Sequence, residues 1–92
     1  MSEHRREIMI VNQRGLHARA SAKFVNVVSA LPEGVSVRVA KDGNEAVGGS
    51  ILGLMMLGAA KGNTVEIIVE GAGAEDVLEE LCSLVGGGFG EE

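Results

Sequence analysis

The chain has 92 residues, enough for one domain with a single core, of which 46% are hydrophobic and only two are aromatic. A net charge of −5 and a pI near 5.0 argue against nucleic acid as the main partner, because a phosphate backbone requires a basic footprint. One cysteine excludes an internal disulfide and a cysteine-built zinc site; a polar Met1–Arg6 stretch without an apolar segment behind it, and no apolar run of membrane-spanning length, point to a cytoplasmic protein.

Glu7–Asn12 is a short run rich in β-formers and reads as a first strand. Gln13–Leu16 is a loop hinged on Gly15. A helix is expected from Ala18 to about Ser29, with Phe24, Val28 and Leu31 at helical spacing and Pro32-Glu33-Gly34 as its stop. Val35, Val37 and Val39 alternate with Ser36, Arg38 and Ala40 as in a half-buried strand. Asp42-Gly43 then predicts a hairpin returning through Glu45–Gly48. Ser50 opens a short helix from Ile51 to about Leu57, ended by Gly58. Thr64–Glu70 is a strand with Val65, Ile67 and Val69 on one face, although Ile68 breaks the alternation on the other.

The last helix runs from about Ala74 to Val85, with Glu75 and Asp76 in its first turn and an apolar stripe that includes Cys82. Met1–Arg6, His4 among them, and Gly86–Glu92 are expected to be flexible ends. The order is βαββαβα. Four half-buried strands call for helices on one face only, so the fold class is α+β, an open-faced β-sandwich; the pattern leaves strand order open.

Gly15-Leu16-His17-Ala18-Arg19 carries the chemistry. It sets an imidazole and a guanidinium two residues apart where a loop becomes a helix. The first helical turn leaves N–H groups unpaired at the positive end of the dipole and favours an anion there. A neutral imidazole can attack a phosphoryl group. The transferred charge then meets the amides of Ala18 and Arg19 and the Arg19 guanidinium, which is suited to bidentate pairing. The small residues Ala18, Ala20 and Ala22 let those amides approach. A solvated, helix-capping histidine fits the same residues. Such a carrier needs an open imidazole and no carboxylate base. With only two histidines and no acidic cluster beside them, neither a metal nor a cofactor is implied.

The second constellation is Ser50 to Gly62. Ser50 is placed to cap the helix that follows. That helix is apolar nearly all round, so it is either wholly buried or partly an exposed docking patch. Ile51, Leu52 and Met55 point in different directions, which favours the patch.

Together, Gly15–Arg19 and the Ser50–Gly62 run resemble the histidine-containing phosphocarrier family, HPr, of the phosphoenolpyruvate-dependent phosphotransferase system. The likeness covers essentially the whole chain. It implies a sheet of strand order 1-4-2-3 and makes His17 the residue phosphorylated at Nδ1, assisted by Arg19. Enzyme I would be the donor and enzyme IIA domains the acceptors, both docking on Ile51, Leu52 and Met55. Ser50 would match a regulatory serine modified in some bacteria by an HPr kinase/phosphorylase. The protein would act as a monomer in sugar uptake or in nitrogen or carbon regulation. The family usually has proline after the arginine; Ala20 stands there in this chain, which hints at the regulatory or nitrogen-linked branch. Two rival readings remain at this point: a small acyl-phosphate hydrolase binding its substrate through Arg19, and a binding module that signals through Ser50 alone. Turnover without phosphohistidine would mark the first, and phosphorylation confined to Ser50 the second.

Overall fold

The sheet is built about β4 (Thr64–Glu70) in a computed structural model that describes residues 3–91. β1 (Glu3–Met9) pairs with one edge of β4 and β2 (Ser36–Lys41) with the other; β3 (Asn44–Val47) pairs beyond β2, and every pairing is antiparallel. The order is therefore β1-β4-β2-β3, as the family resemblance implied. The described residues also form three α-helices: α1 (Ala18–Ser29), α2 (Ile51–Met56) and α3 (Ala74–Gly86).

Register decides which face is the core. Val69, Ile67 and Val65 stand opposite His4, Arg6 and Ile8 of β1, and Val37 and Val39 stand opposite Val69 and Ile67 from β2. These valines and isoleucines form one cluster with Ala20 and Phe24 of α1, Leu54 of α2, and Leu78, Leu81, Cys82 and Val85 of α3. The expected α+β open-faced sandwich is thus realised, with Cys82 in the core.

The other face carries Glu3, Arg5, Arg38, Glu45, Glu66 and Glu70 around Ile68, the residue that broke the alternation in sequence. Ile68 is only 1% exposed. Arg5 of β1 and Arg38 of β2 stand directly opposite it on either side, with their guanidinium groups drawn into ion pairs. Arg5 reaches Glu3 and Glu66 at 3.0 Å each; Arg38 reaches Glu45 at 2.8 Å and Glu3 at 2.9 Å. Exposed pairs of this kind contribute little net stability by themselves. Their larger effect is to hold two aliphatic stems flanking an isoleucine that would otherwise face water.

That same ladder moves β1. The strand expected over Glu7–Asn12 runs instead over Glu3–Met9, because the charged residues before the apolar run find cross-strand partners. The apolar end leaves the ladder, although Ile10 stays buried and still donates to Asn63 O at 2.8 Å. The expectation of flexible ends is corrected wherever the structure describes them. Glu3–Arg6, including a half-buried His4, are strand residues, with Arg6 also reaching Glu79 on α3. After α3 the chain makes a 3-10 turn, Gly88–Gly90, that buries Phe89 to 1% exposure. Met1, Ser2 and Glu92 lie outside the described residues. The remaining boundaries shift by a residue: β2 opens at Ser36, β3 spans Asn44–Val47, and α2 stops at Met56. Asp42 and Gly43 both take positive φ, 52° and 85°, as the tight primed turn of a hairpin requires.

Candidate functional site

His17 is the N-cap of α1, with extended backbone at φ −75° and ψ −179°. Its position is set by the loop before it. Gly15 adopts φ +64° with its backbone against Ala59 and Ala60, the next N–H, of Leu16, donates to Ala59 O at 3.0 Å, and the Leu16 side chain is buried. Asn12, also buried, donates through Nδ2 to Gly15 O at 2.8 Å. Ser21 Oγ donates to Leu16 O at 3.2 Å from inside the helix. The imidazole thus stands on a tied loop.

Its two nitrogens face different neighbours. Nδ1 accepts the N–H of Arg19 at 3.3 Å, so the lone pair points at the first helical turn. Nε2 lies 2.6 Å from Glu91 Oε2. A carboxylate can only accept, so Nε2 carries the proton in this arrangement. Glu91 is itself oriented, since Asn12 Nδ2 also donates to its Oε1 at 3.1 Å. Lys23 Nζ ties the same segment to α1 by donating to Phe89 O at 2.6 Å.

The expectation of an open imidazole is corrected accordingly. The His17 side chain is 15% exposed, because the buried Phe89 folds the tail back and lays Glu91 over one ring edge. A cleft of about 390 Å³ is lined by Gln13, Arg14, His17, Arg19, Lys23, Gly90 and Glu91. Ala18 and Arg19 are exposed beside it. Among the described residues neither Arg14 nor Arg19 is paired with a carboxylate, which leaves two guanidinium groups available to an anion.

Sequence reasoning missed Glu91 and Asn12. The available signal was Phe89, the one large apolar residue in an otherwise polar and glycine-rich tail, which a frayed end does not need. The hydrogen bond from His17 holds the Glu91 carboxyl below the usual carboxylate range, with Asn12 and Lys23 adding to the effect against the opposing cost of desolvation. A depressed acid contributes stability above its unfolded value and loses it as pH falls through the folded one. The docked tail is therefore expected to loosen only as pH drops below the ordinary carboxylate range. Amide shifts of Gly90 and Glu91 that move together on acidification check this; shifts that move between pH 6 and 8 alone contradict it.

Ser50 is the N-cap of α2, and its Oγ accepts the N–H of Gly53 at 2.9 Å. The helix is neither wholly buried nor wholly exposed: Leu54 enters the core, while Ile51, Leu52 and Met55 lie open. Met56, 77% exposed, extends the apolar surface beyond the residues expected from sequence. α2 packs beside α1. Among the described residues no group of three histidine, cysteine or acidic side chains gathers as a metal site, and no helix is long and apolar enough to cross a membrane.

Comparison with known proteins agrees with this geometry. Residues 4–86 match the model of the PTS HPr component phosphorylation site family. The chain is 42% identical over 87 residues to phosphocarrier protein HPr of Neisseria meningitidis serogroup A, covering 95% of this chain and 96% of that one. Among solved structures, HPr-C-His from Thermoanaerobacter tengcongensis superposes with a TM-score of 0.87 at 38% identity, covering 100% and 99% of the two chains. An HPr dimer from the same organism gives a TM-score of 0.73 at 38% identity, covering 91% and 94%. The chain belongs to the HPr family of phosphocarrier proteins of the phosphotransferase system.

Proposed function

We propose that His17 is the atom-bearing site of the carrier: its Nδ1 takes a phosphoryl group from phospho-enzyme I and yields it to enzyme IIA domains. The observation that carries this reading is the Nδ1 lone pair directed at the N-terminus of α1 beside the unpaired Arg14 and Arg19. The phosphoryl group, once on Nδ1, meets the amides of Ala18 and Arg19 in place of the single contact now made. The Arg19 guanidinium neutralises its charge. The cleft is open rather than enclosed, which suits an atom that two different proteins must reach in turn.

Ile51, Leu52 and Met55, with Met56, form the docking surface for both partners. Ser50 is a regulatory phosphorylation site on its rim for an HPr kinase/phosphorylase. A phosphate on Ser50 would add nearly two negative charges beside an apolar patch. Enzyme I docking is expected to weaken by roughly tenfold, or about 1.4 kcal/mol, while the fold persists. Titration calorimetry of Ser50-phosphorylated protein against enzyme I checks this, and equal affinity overturns it. The working species in this scheme is a cytoplasmic monomer, which sedimentation at micromolar concentration tests.

The deciding experiment for the carrier itself is incubation with phosphoenolpyruvate and enzyme I, followed by mass spectrometry mapped to residue. An acid-labile, base-stable phosphate on His17 is expected. Steady release of phosphate without a labelled histidine would assign the hydrolase instead, and phosphate on Ser50 alone the binding module.

A further inference from the structure

We infer that Glu91 is a positioning residue for phosphoryl transfer: its carboxylate holds the proton on His17 Nε2, turns Nδ1 toward the incoming phosphorus, and compensates the charge that the ring acquires. This rests on His17 being the acceptor.

The two ring contacts agree with one another. Nδ1 accepts a backbone N–H, and an acceptor nitrogen carries no proton; Nε2 faces a carboxylate oxygen at 2.6 Å, and a carboxylate needs a donor. Only the tautomer protonated at Nε2 satisfies both. Glu91 does not drift into this position. Its second oxygen takes a hydrogen bond from Asn12, whose amide is in turn fixed by Gly15 O, the carbonyl of the loop that carries His17. The segment is secured at Phe89, and the Glu91 N–H donates to Gly88 O at 3.0 Å. The buried Phe89 adopts a left-handed φ of 58°, a conformation a bulky residue takes only when its surroundings hold it there. Lys23 binds the carbonyl of the same residue. A side chain from the end of the chain is therefore built into the loop at its beginning.

The electron count shows what this arrangement supplies. The Nδ1 lone pair forms a bond to phosphorus as the donor's bond to phosphorus breaks, and the donor keeps that electron pair. No proton leaves Nε2, so the imidazole becomes a phosphorylated imidazolium with one positive charge. A carboxylate hydrogen-bonded to Nε2–H stabilises that charge as it develops, in the manner of the acid behind a catalytic histidine, without taking the proton. On transfer to the acceptor the ring leaves as the same neutral tautomer, so no proton must be exchanged with water. Glu91 meets the ring at Nε2, away from Nδ1, so its charge does not occupy the phosphoryl position, which Arg14 and Arg19 flank.

The test uses the full chain with Glu91→Ala, Glu91→Gln and Glu91→Asp. Single-turnover transfer from phospho-enzyme I is expected to slow roughly tenfold or more in Glu91→Ala, with the dependence on carrier concentration unchanged, because alignment rather than docking is lost. Glu91→Gln retains an acceptor but no charge and should fall between; Glu91→Asp should recover part of the rate if its shorter arm still reaches. The Nε2 proton of His17 supplies a second readout. It should give a slowly exchanging downfield resonance in the parent protein that vanishes in Glu91→Ala. Parent-like rates in Glu91→Ala overturn the inference, and so does a rate loss that tracks half-saturation alone. If phosphate maps to a residue other than His17 in the parent protein, the carrier reading has failed first; if it maps to His17 and Glu91→Ala is fully active, only the role of Glu91 falls.

Discussion

His17→Ala is expected to take no phosphate from phospho-enzyme I while keeping its fold. The loss follows because the accepting nitrogen is gone and the cleft's other candidates are engaged elsewhere: Lys23 Nζ donates to Phe89 O and Glu91 accepts from Asn12, while Gln13, Arg14 and Arg19 carry no nucleophile. The structural cost is small by comparison. His17 caps α1 through one 3.3 Å hydrogen bond at an exposed helix start, and loss of such a cap costs about 0.5–1 kcal/mol. Glu91 loses its partner but retains Asn12, and Phe89 keeps the tail in place. The midpoint of thermal unfolding should therefore fall by only a few degrees, roughly 4–8 °C per kcal/mol for a domain of this size. Labelled phosphate transfer and a melting curve on the same preparation read the two effects separately. Incorporation in His17→Ala equal to that of the parent would move the acceptor elsewhere in the chain.

Much of the fold was legible because its signals are local. The valine alternation of β2, the Asp42-Gly43 turn, and the apolar stripe of α3 each declare their element within a few residues. The apolar helix after Ser50 was also legible as a cap plus a patch, although Met56 widened that patch. What escaped depends on partners distant in sequence. Glu3, Arg5 and Arg6 look like a solvated tail until Glu66, Arg38 and Glu79 are brought opposite them. Ile68 looks misplaced until two arginines flank it. Neither arrangement has a period, so no pattern along the chain could announce it.

The site divides in the same way. The placement of His17 and Arg19 at a helix start could be read from their own five residues because such a start is a local event. Glu91 could not, since its meaning comes from a contact 74 positions away in the chain. Gly86-Gly87-Gly88 argued for fraying and in fact provides the turn that lets Phe89 swing into the core. The expectation that no carboxylate base is needed concerns proton removal only. It leaves aside the stabilisation that a carboxylate beside Nε2 would give a ring gaining positive charge.

Gly15→Ala is expected to be the most damaging single-methyl change near the site, in both stability and transfer. Gly15 sits at φ +64°, where a side chain costs roughly 1–2 kcal/mol. A Cβ there would also stand 2.3 Å from Ala59 O and 2.9 Å from Ala60 Cα, backbone atoms that cannot rotate away. The loop must lift, and lifting it breaks the Leu16 N–H to Ala59 O bond and strains the Asn12 bond to Gly15 O, each worth about 1 kcal/mol. A total of about 2–4 kcal/mol follows, and the displaced loop carries His17 with it. A shift of the order of 1 Å at the acceptor can slow transfer by roughly 100-fold. Gly34→Ala is the control: its φ is +90°, but an added Cβ meets nothing within 4 Å. It should lose only the backbone share of the stability and transfer phosphate normally. Urea unfolding and single-turnover transfer on both variants isolate the collision from the conformational strain. Equal stability losses in the two variants would mean that the Ala59–Ala60 backbone yields, and that the seat of His17 is softer than the packing around Gly15 indicates.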